Sequence, residues 1–120
     1  MTKNTTETGK TAEDRVIGIM LSKGFDLVCR NFRIHNVGEI DSVFTKGDTV
    51  YIVEVRARKL HPGYPTPSES VTPAKRRKIS KTAGHLIYRY DLTDRNICFL
   101  IGQVTLDEAG LVQNVEFIPF

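Results

Sequence analysis

The sequence contains no tryptophan and only two cysteines among 120 residues. Cys29 and Cys98 stand singly in apolar surroundings, which excludes a disulfide framework and a paired-cysteine zinc site; small core residues in a reducing cytosol are expected instead. No run of about 18 uncharged apolar residues occurs, and Met1 to Lys10 is Thr-rich and polar. Neither a membrane span nor a signal peptide is therefore expected. No Gly-rich phosphate loop is present, and Ser42 and Ser80 have no His/Asp constellation near them, so nucleotide-driven chemistry and acyl transfer have no support. His35, His61 and His85 lie on different elements without ligand spacing and receive no metal role.

What is present suffices for one domain. Folding a chain of this length removes roughly two-thirds of its surface from water, enough for a core without metal or disulfide staples. Residues 9–120 are expected to form that domain, with 1–8 as a flexible tail. The formal charge of +3 is unevenly distributed: residues 1–53 carry seven basic and seven acidic groups, residues 54–81 eight and two, and residues 82–120 two and five. The positive excess sits in the middle of the chain, where it makes a candidate anion-binding face.

Apolar spacing at Ala12, Val16, Ile17, Ile19 and Met20 predicts a helix over Thr11 to Lys23, stopped by Gly24. Strands are expected at Phe25 to Phe32, Gly38 to Thr45 and Thr49 to Ala57, the last two joined through Lys46-Gly47-Asp48. A proline-rich connection, Arg58 to Val71, holds Pro62, Pro65 and Pro67. Thr72 and Pro73 then start a second helix with an apolar stripe of Ile79, Ala83, Leu86, Ile87 and Tyr90. Strands at Asn96 to Leu106 and Leu111 to Phe117 close the chain. The predicted order is α-β-β-β-α-β-β, an α/β fold whose second helix links two parallel strands of a mixed sheet.

Three carboxylates fall where packing alone would not put them. Glu13 lies within the apolar stripe of the first helix and needs a partner, Lys10 and Arg30 being the nearest candidates for an ordinary ion pair. Asp41 and Glu54 have their sequence midpoint at the Gly47-Asp48 turn, so pairing of the hairpin places them side by side. Opposed like charges destabilise a sheet, and their presence on an apolar hairpin argues for a cation between them; an ion pair of Asp41 with Arg33 or Arg56 is the competing explanation. Glu54 and Arg56 alternate onto one face of their strand. Carboxylates from two strands and a helix suit a hard divalent cation such as Mg²⁺, which would hold a phosphodiester for hydrolysis while Arg56 steadies the developing charge. On the second helix Lys75, Arg77, Lys78, Lys81 and Arg89 point away from the apolar stripe and, with Arg58 and Lys59, could meet a phosphate backbone. Tyr64, in the connection, could stack on a base or anchor the loop.

Gly9-Lys10-x-Ala12-Glu13, Arg30-Asn31-x-Arg33, Gly38-Glu39-Ile40-Asp41, Val53-Glu54-Val55-Arg56 and the Lys75-Arg76-Arg77-Lys78-Ile79 run resemble the YraN family of uncharacterised bacterial proteins. That family is similar to archaeal Holliday-junction resolvases, of restriction-endonuclease-like fold, whose PD-(D/E)xK motif binds Mg²⁺ or Mn²⁺. The resemblance implies metal ligation by Glu13, Asp41 and Glu54, with Arg56 at the motif lysine, and DNA or RNA, duplex or branched, as partner. It also implies a cytoplasmic role in DNA repair or recombination and a symmetric homodimer. Two departures are visible: Arg56 replaces a lysine, keeping charge but losing base chemistry, and Cys98-Phe99-Leu100 replaces the family's usual Arg-Phe-Asp. The expected function is nucleic-acid binding with metal-dependent endonuclease activity on structured DNA. The alternatives are a catalytically degenerate binding module and a protein–protein adaptor.

Overall fold

Local signals place both helices. Thr72, extended at φ −71° and ψ 159°, accepts a hydrogen bond from the Lys75 N–H through its hydroxyl, and Pro73 occupies the first turn behind it. Gly24, at φ 88°, ends the first helix in the left-handed conformation that a side chain would resist. The computed structural model describes residues 5–59 and 71–120, with side chains from residue 11 onward. The elements are α1 (Thr5–Ser22), β1 (Asp26–Ile34), β2 (Gly38–Lys46), β3 (Thr49–Lys59), α2 (Pro73–Arg89), β4 (Asn96–Leu106) and β5 (Val112–Pro119).

These are the predicted α/β elements in the predicted order. One five-stranded sheet runs β1-β2-β3-β4-β5, antiparallel except between β3 and β4, which α2 joins in parallel. Boundaries differ where the sheet supplies partners that sequence could not show. β3 continues through Arg58 and Lys59 because these pair with Thr105 and Leu106 of β4, and β5 reaches Pro119 opposite Leu100. The helix α1 begins at Thr5, ahead of its first apolar residue. Most of the proline-rich connection, including Tyr64, lies outside the described residues.

Each helix covers one face of the sheet. Ala12, Val16, Ile17 and Met20 of α1 pack with Phe44, Val53, Val104 and Leu106. Ile79, Ala83, Leu86 and Ile87 of α2 pack with Phe32, Ile40, Val43, Val50 and Ile52. Ile19 is only half-buried, and Tyr90, expected in the α2 stripe, is exposed at the C-cap with its ring edge-on to Phe32. Cys29 and Cys98 are free and half-buried. Among the described residues no helix is long and apolar enough to cross a membrane.

The β1–β2 hairpin departs from simple alternation twice: its register shifts between Leu27 and Cys29, and the faces change again farther along. Ile40 and Val43 both join the α2-side core although three residues apart, and so do Phe32 and the half-buried Cys29 across from them. Residues three apart on a regular strand face opposite ways, so both strands slip together at Arg30–Asn31 and Asp41–Ser42. Asn31, at φ 51°, takes up the slip in the left-handed region that asparagine tolerates. The residues displaced at this kink are among those that carry the charge described next.

Candidate functional site

The site is built where β2 parts from β3. Ladder pairing between these strands stops at Ser42 opposite Val53; its register, continued one step, sets Asp41 opposite Glu54 as the hairpin midpoint predicts. There the Asp41 carboxylate takes over from the ladder, its Oδ2 accepting a hydrogen bond from the Val55 N–H at 2.8 Å. Glu54 is buried, 7% exposed, and its Oε1 has no hydrogen-bond partner among the described residues. An ionised carboxylate in that state is costly unless something positive arrives.

The electrostatics follow from this placement. Burial first, then the Asp41 charge, pushes Glu54 up to about 8, against the smaller pull of Arg56 and the Asp41 backbone N–H. Asp41 is also raised, mainly by burial, although the Val55 hydrogen bond and Arg56 work the other way. Glu13 is raised by burial and then by Asp41, which places the helix carboxylate in the same field. Glu13 is not turned freely into the site, however. Arg30 stands 3.8 Å from it and 2.8 Å from Asp14, tying the kink in β1 to two adjacent carboxylates of α1. Among the described residues no three acidic, histidine or cysteine side chains form a ready metal-holding group.

Arg56 lies on the same strand face as Glu54 and acts electrostatically on both Asp41 and Glu54. Its Nε and Nη2, the edge of the guanidinium that takes oxyanions in bidentate fashion, are buried and unpartnered among the described residues. Arg33, offered by sequence as a partner for Asp41, is instead paired with Glu39 at 3.1 Å. Beside Arg56 in register on β4 is Gln103, which sequence reasoning passed over: it is buried, its Nε2 donates to the Val104 carbonyl, and its Oε1 is unpartnered. An amide within the otherwise apolar stretch from Ile97 to Val104 was the available signal. Ser42, opposite Val53 at the end of the β2–β3 ladder, is buried with its hydroxyl unpartnered among the described residues.

The basic segment is arranged largely as its periodicity implies. Arg77, Lys78 and Lys81 of α2 are exposed and Lys75 is half-buried, while Arg89 lies over the Phe32 ring at 5.1 Å. Lys59 is exposed at the end of β3 and Arg58 half-buried next to it. Seventeen residues of α2 contain no acidic group, even in the first turn where helix polarity favours one. Cations crowded there are kept against local electrostatics.

Comparison with known proteins gives one consistent result. The model of a family described as "Uncharacterised protein family UPF0102" matches residues 12–97. A UPF0102 protein from Alkalilimnicola ehrlichii is 40% identical over 92 residues, covering 77% of this chain and 71% of that one. One from Dictyoglomus turgidum is 34% identical over 116 residues, 97% of each chain, and one from Acinetobacter baylyi is 43% identical over 82 residues, 68% of this chain and 57% of its own.

Proposed function

The chain belongs to the uncharacterised protein family UPF0102, and on that premise we propose that it is a cytoplasmic nucleic-acid-binding protein that cuts the phosphodiester backbone of structured DNA with a divalent cation. The single observation behind this is the Asp41 and Glu54 pair at the parting of β2 and β3, with the open edge of the Arg56 guanidinium buried on the same strand. Two carboxylates both raised by burial, Glu54 further by the Asp41 charge and with an unpartnered buried oxygen, are the donor set that Mg²⁺ or Mn²⁺ accepts while leaving room for phosphate and water. The residues therefore fit a cation, with Asp41 and Glu54 as its holders and Glu13 joining on release from Arg30. Such an ion polarises the scissile phosphate and acidifies a bound water. Arg56 donates to the phosphate oxygens and balances charge that grows there, but it cannot take a proton. The cations of α2, with Arg58 and Lys59, hold the flanking backbone without reading bases. The restriction-endonuclease-like resemblance points the same way and carries with it a place in repair or recombination and a symmetric dimer acting on two strands.

The test is cleavage and binding of labelled linear and four-way-branched DNA with Mn²⁺ or Mg²⁺. Wild-type protein is expected to bind with a steep salt dependence and to nick the branched substrate; Glu54→Gln should bind but not cut. Arg56→Met should lower the cleavage rate by about a hundredfold. Salt-dependent binding with no cleavage under either metal would replace the nuclease by a degenerate binding module, a state that Arg56 in place of lysine favours. Absence of any binding at low salt would overturn the proposal and leave a protein adaptor.

A further inference from the structure

A groove of about 430 Å³ runs between the β1–β2 turn and α2, lined by Arg33, His35, Gly38, Glu39 and Lys78 among others. It exists because position 38 has no side chain: a Cβ there would come within 2.6 Å of the Thr82 hydroxyl oxygen and 3.8 Å of the Lys78 Cβ, so glycine lets the turn lie directly on the helix. The groove has a cation on each wall, Arg33 from the end of β1 and Lys78 from α2. Its one acidic group, Glu39, is paired with Arg33 at 3.1 Å, and Arg33 is 72% exposed. An ion pair so exposed is held weakly and exchanges partners readily.

The groove lies close to the site already described, sharing with it the β2 strand. Glu39 is two residues from Asp41 on β2, about 7 Å along a strand, and its charge is felt by Asp41, Glu54 and Glu13 alike. A polymer whose phosphate lies at Asp41 and Glu54 must continue in some direction, and this is a cation-walled path leading away from them. We propose that this groove seats the neighbouring backbone phosphate of the bound nucleic acid, and that Arg33 leaves Glu39 to hold that phosphate. A backbone phosphodiester, with one charge and two non-bridging oxygens like a carboxylate, fits the same guanidinium fork and in this groove also meets Lys78. Lys78, already expected to touch the backbone, then acts together with the β1–β2 turn as the facing wall. Glu39 is a gatekeeper in this arrangement, competing with the substrate for Arg33.

This inference rests on the nucleic-acid reading above, and the experiment separates the two. Affinity for a fluorescent branched DNA is measured as a function of salt for wild type, Arg33→Gln, Glu39→Gln and, as a matched loss of charge on α1 away from the groove, Arg15→Gln. Arg33→Gln should weaken binding by roughly three- to tenfold and reduce the salt slope by about one. Glu39→Gln, although it removes an ion pair, should tighten binding by roughly two- to fivefold because Arg33 is then free. Arg15→Gln should leave the slope unchanged. Equal effects of Arg33→Gln and Arg15→Gln, or weaker binding by Glu39→Gln, would overturn the inference while wild-type binding still supported the broader proposal. No binding by wild type would overturn both. Thermal unfolding of each variant, expected within a few degrees of wild type, confirms that binding is read from folded protein.

Discussion

Asp41 and Val55 are joined by a 2.8 Å hydrogen bond from backbone N–H to carboxylate, at the point where the β2–β3 ladder has stopped. One side chain therefore does two things: it ends the strand pairing without leaving the Val55 N–H unpaired, and it brings a charge to Glu54.

Two substitutions divide those roles. Asp41→Asn keeps an acceptor for Val55 but removes the charge, so stability should change little while the Glu54 pKa falls from about 8 towards the ordinary carboxylate range. Asp41→Ala removes both and should cost about 1–3 kcal/mol for the unpaired N–H. Carboxyl carbon NMR titration of Glu54 in the two variants, with urea unfolding alongside, checks both statements. A Glu54 titration unmoved by Asp41→Asn would show that the two carboxylates are not coupled.

Stability should fall as pH rises through the neutral range. Folded Glu54 keeps its proton up to about pH 8, whereas a free glutamate releases it near 4.5, so between these values the folded state binds more protons than the unfolded one. The stabilising effect is complete below about pH 4.5, is lost progressively up to about pH 8, and is flat beyond. Asp41 and Glu13, raised in the same direction, add the same sign at the lower end. The slope from one such group is at most about 1.4 kcal/mol per pH unit. Denaturant midpoints at pH 5, 7 and 9 should decline for wild type and be nearly level for Glu54→Gln.

Added cation should reverse that decline. Metal binds the ionised carboxylates and competes with protons, so Mn²⁺ should raise the melting temperature more at pH 8 than at pH 6. A chelator should undo the gain, and Glu54→Gln should abolish it. An equal shift in wild type and Glu54→Gln would place the ion elsewhere on the surface.

Gly38→Ala should destabilise the fold by about 1–3 kcal/mol, because the new methyl meets the Thr82 hydroxyl oxygen at 2.6 Å. Combining it with Thr82→Ala should recover part of the loss, since the offending oxygen is then gone. Chemical unfolding of the two single variants and the double variant measures the interaction; simple additivity would mean that the helix moves aside instead.

The element order was legible because each boundary carried its own local chemistry: Thr72-Pro73 at a helix start, Gly24 at a helix end, and the β-branched run from Val50 to Val55 in a central strand. The side-by-side placement of Asp41 and Glu54 was legible too, since a tight hairpin fixes register from its turn alone. The kink was not. It depends on Asn31 adopting a left-handed φ against Asp41, a relation between strands that no single stretch of sequence displays. Glu13 shows the same limit: its spacing marked it as misplaced, and Arg30 was among the partners named, but the sharing of Arg30 with Asp14 needed the helix and the kink together. Arg33 was offered to Asp41 and went to Glu39, its direct cross-strand neighbour, because proximity in the ladder decides such exposed pairings.

The slip in the β1–β2 hairpin decides what flanks Asp41. Its apolar side stays against α2 through the slip, while Arg30, the partner of α1 carboxylates, and Asp41 are squeezed out at the seam between the two helical layers. Under the function proposed above, a long, stiff, repetitive chain is laid along that seam, which needs none of the enclosure by which small metabolites are normally bound.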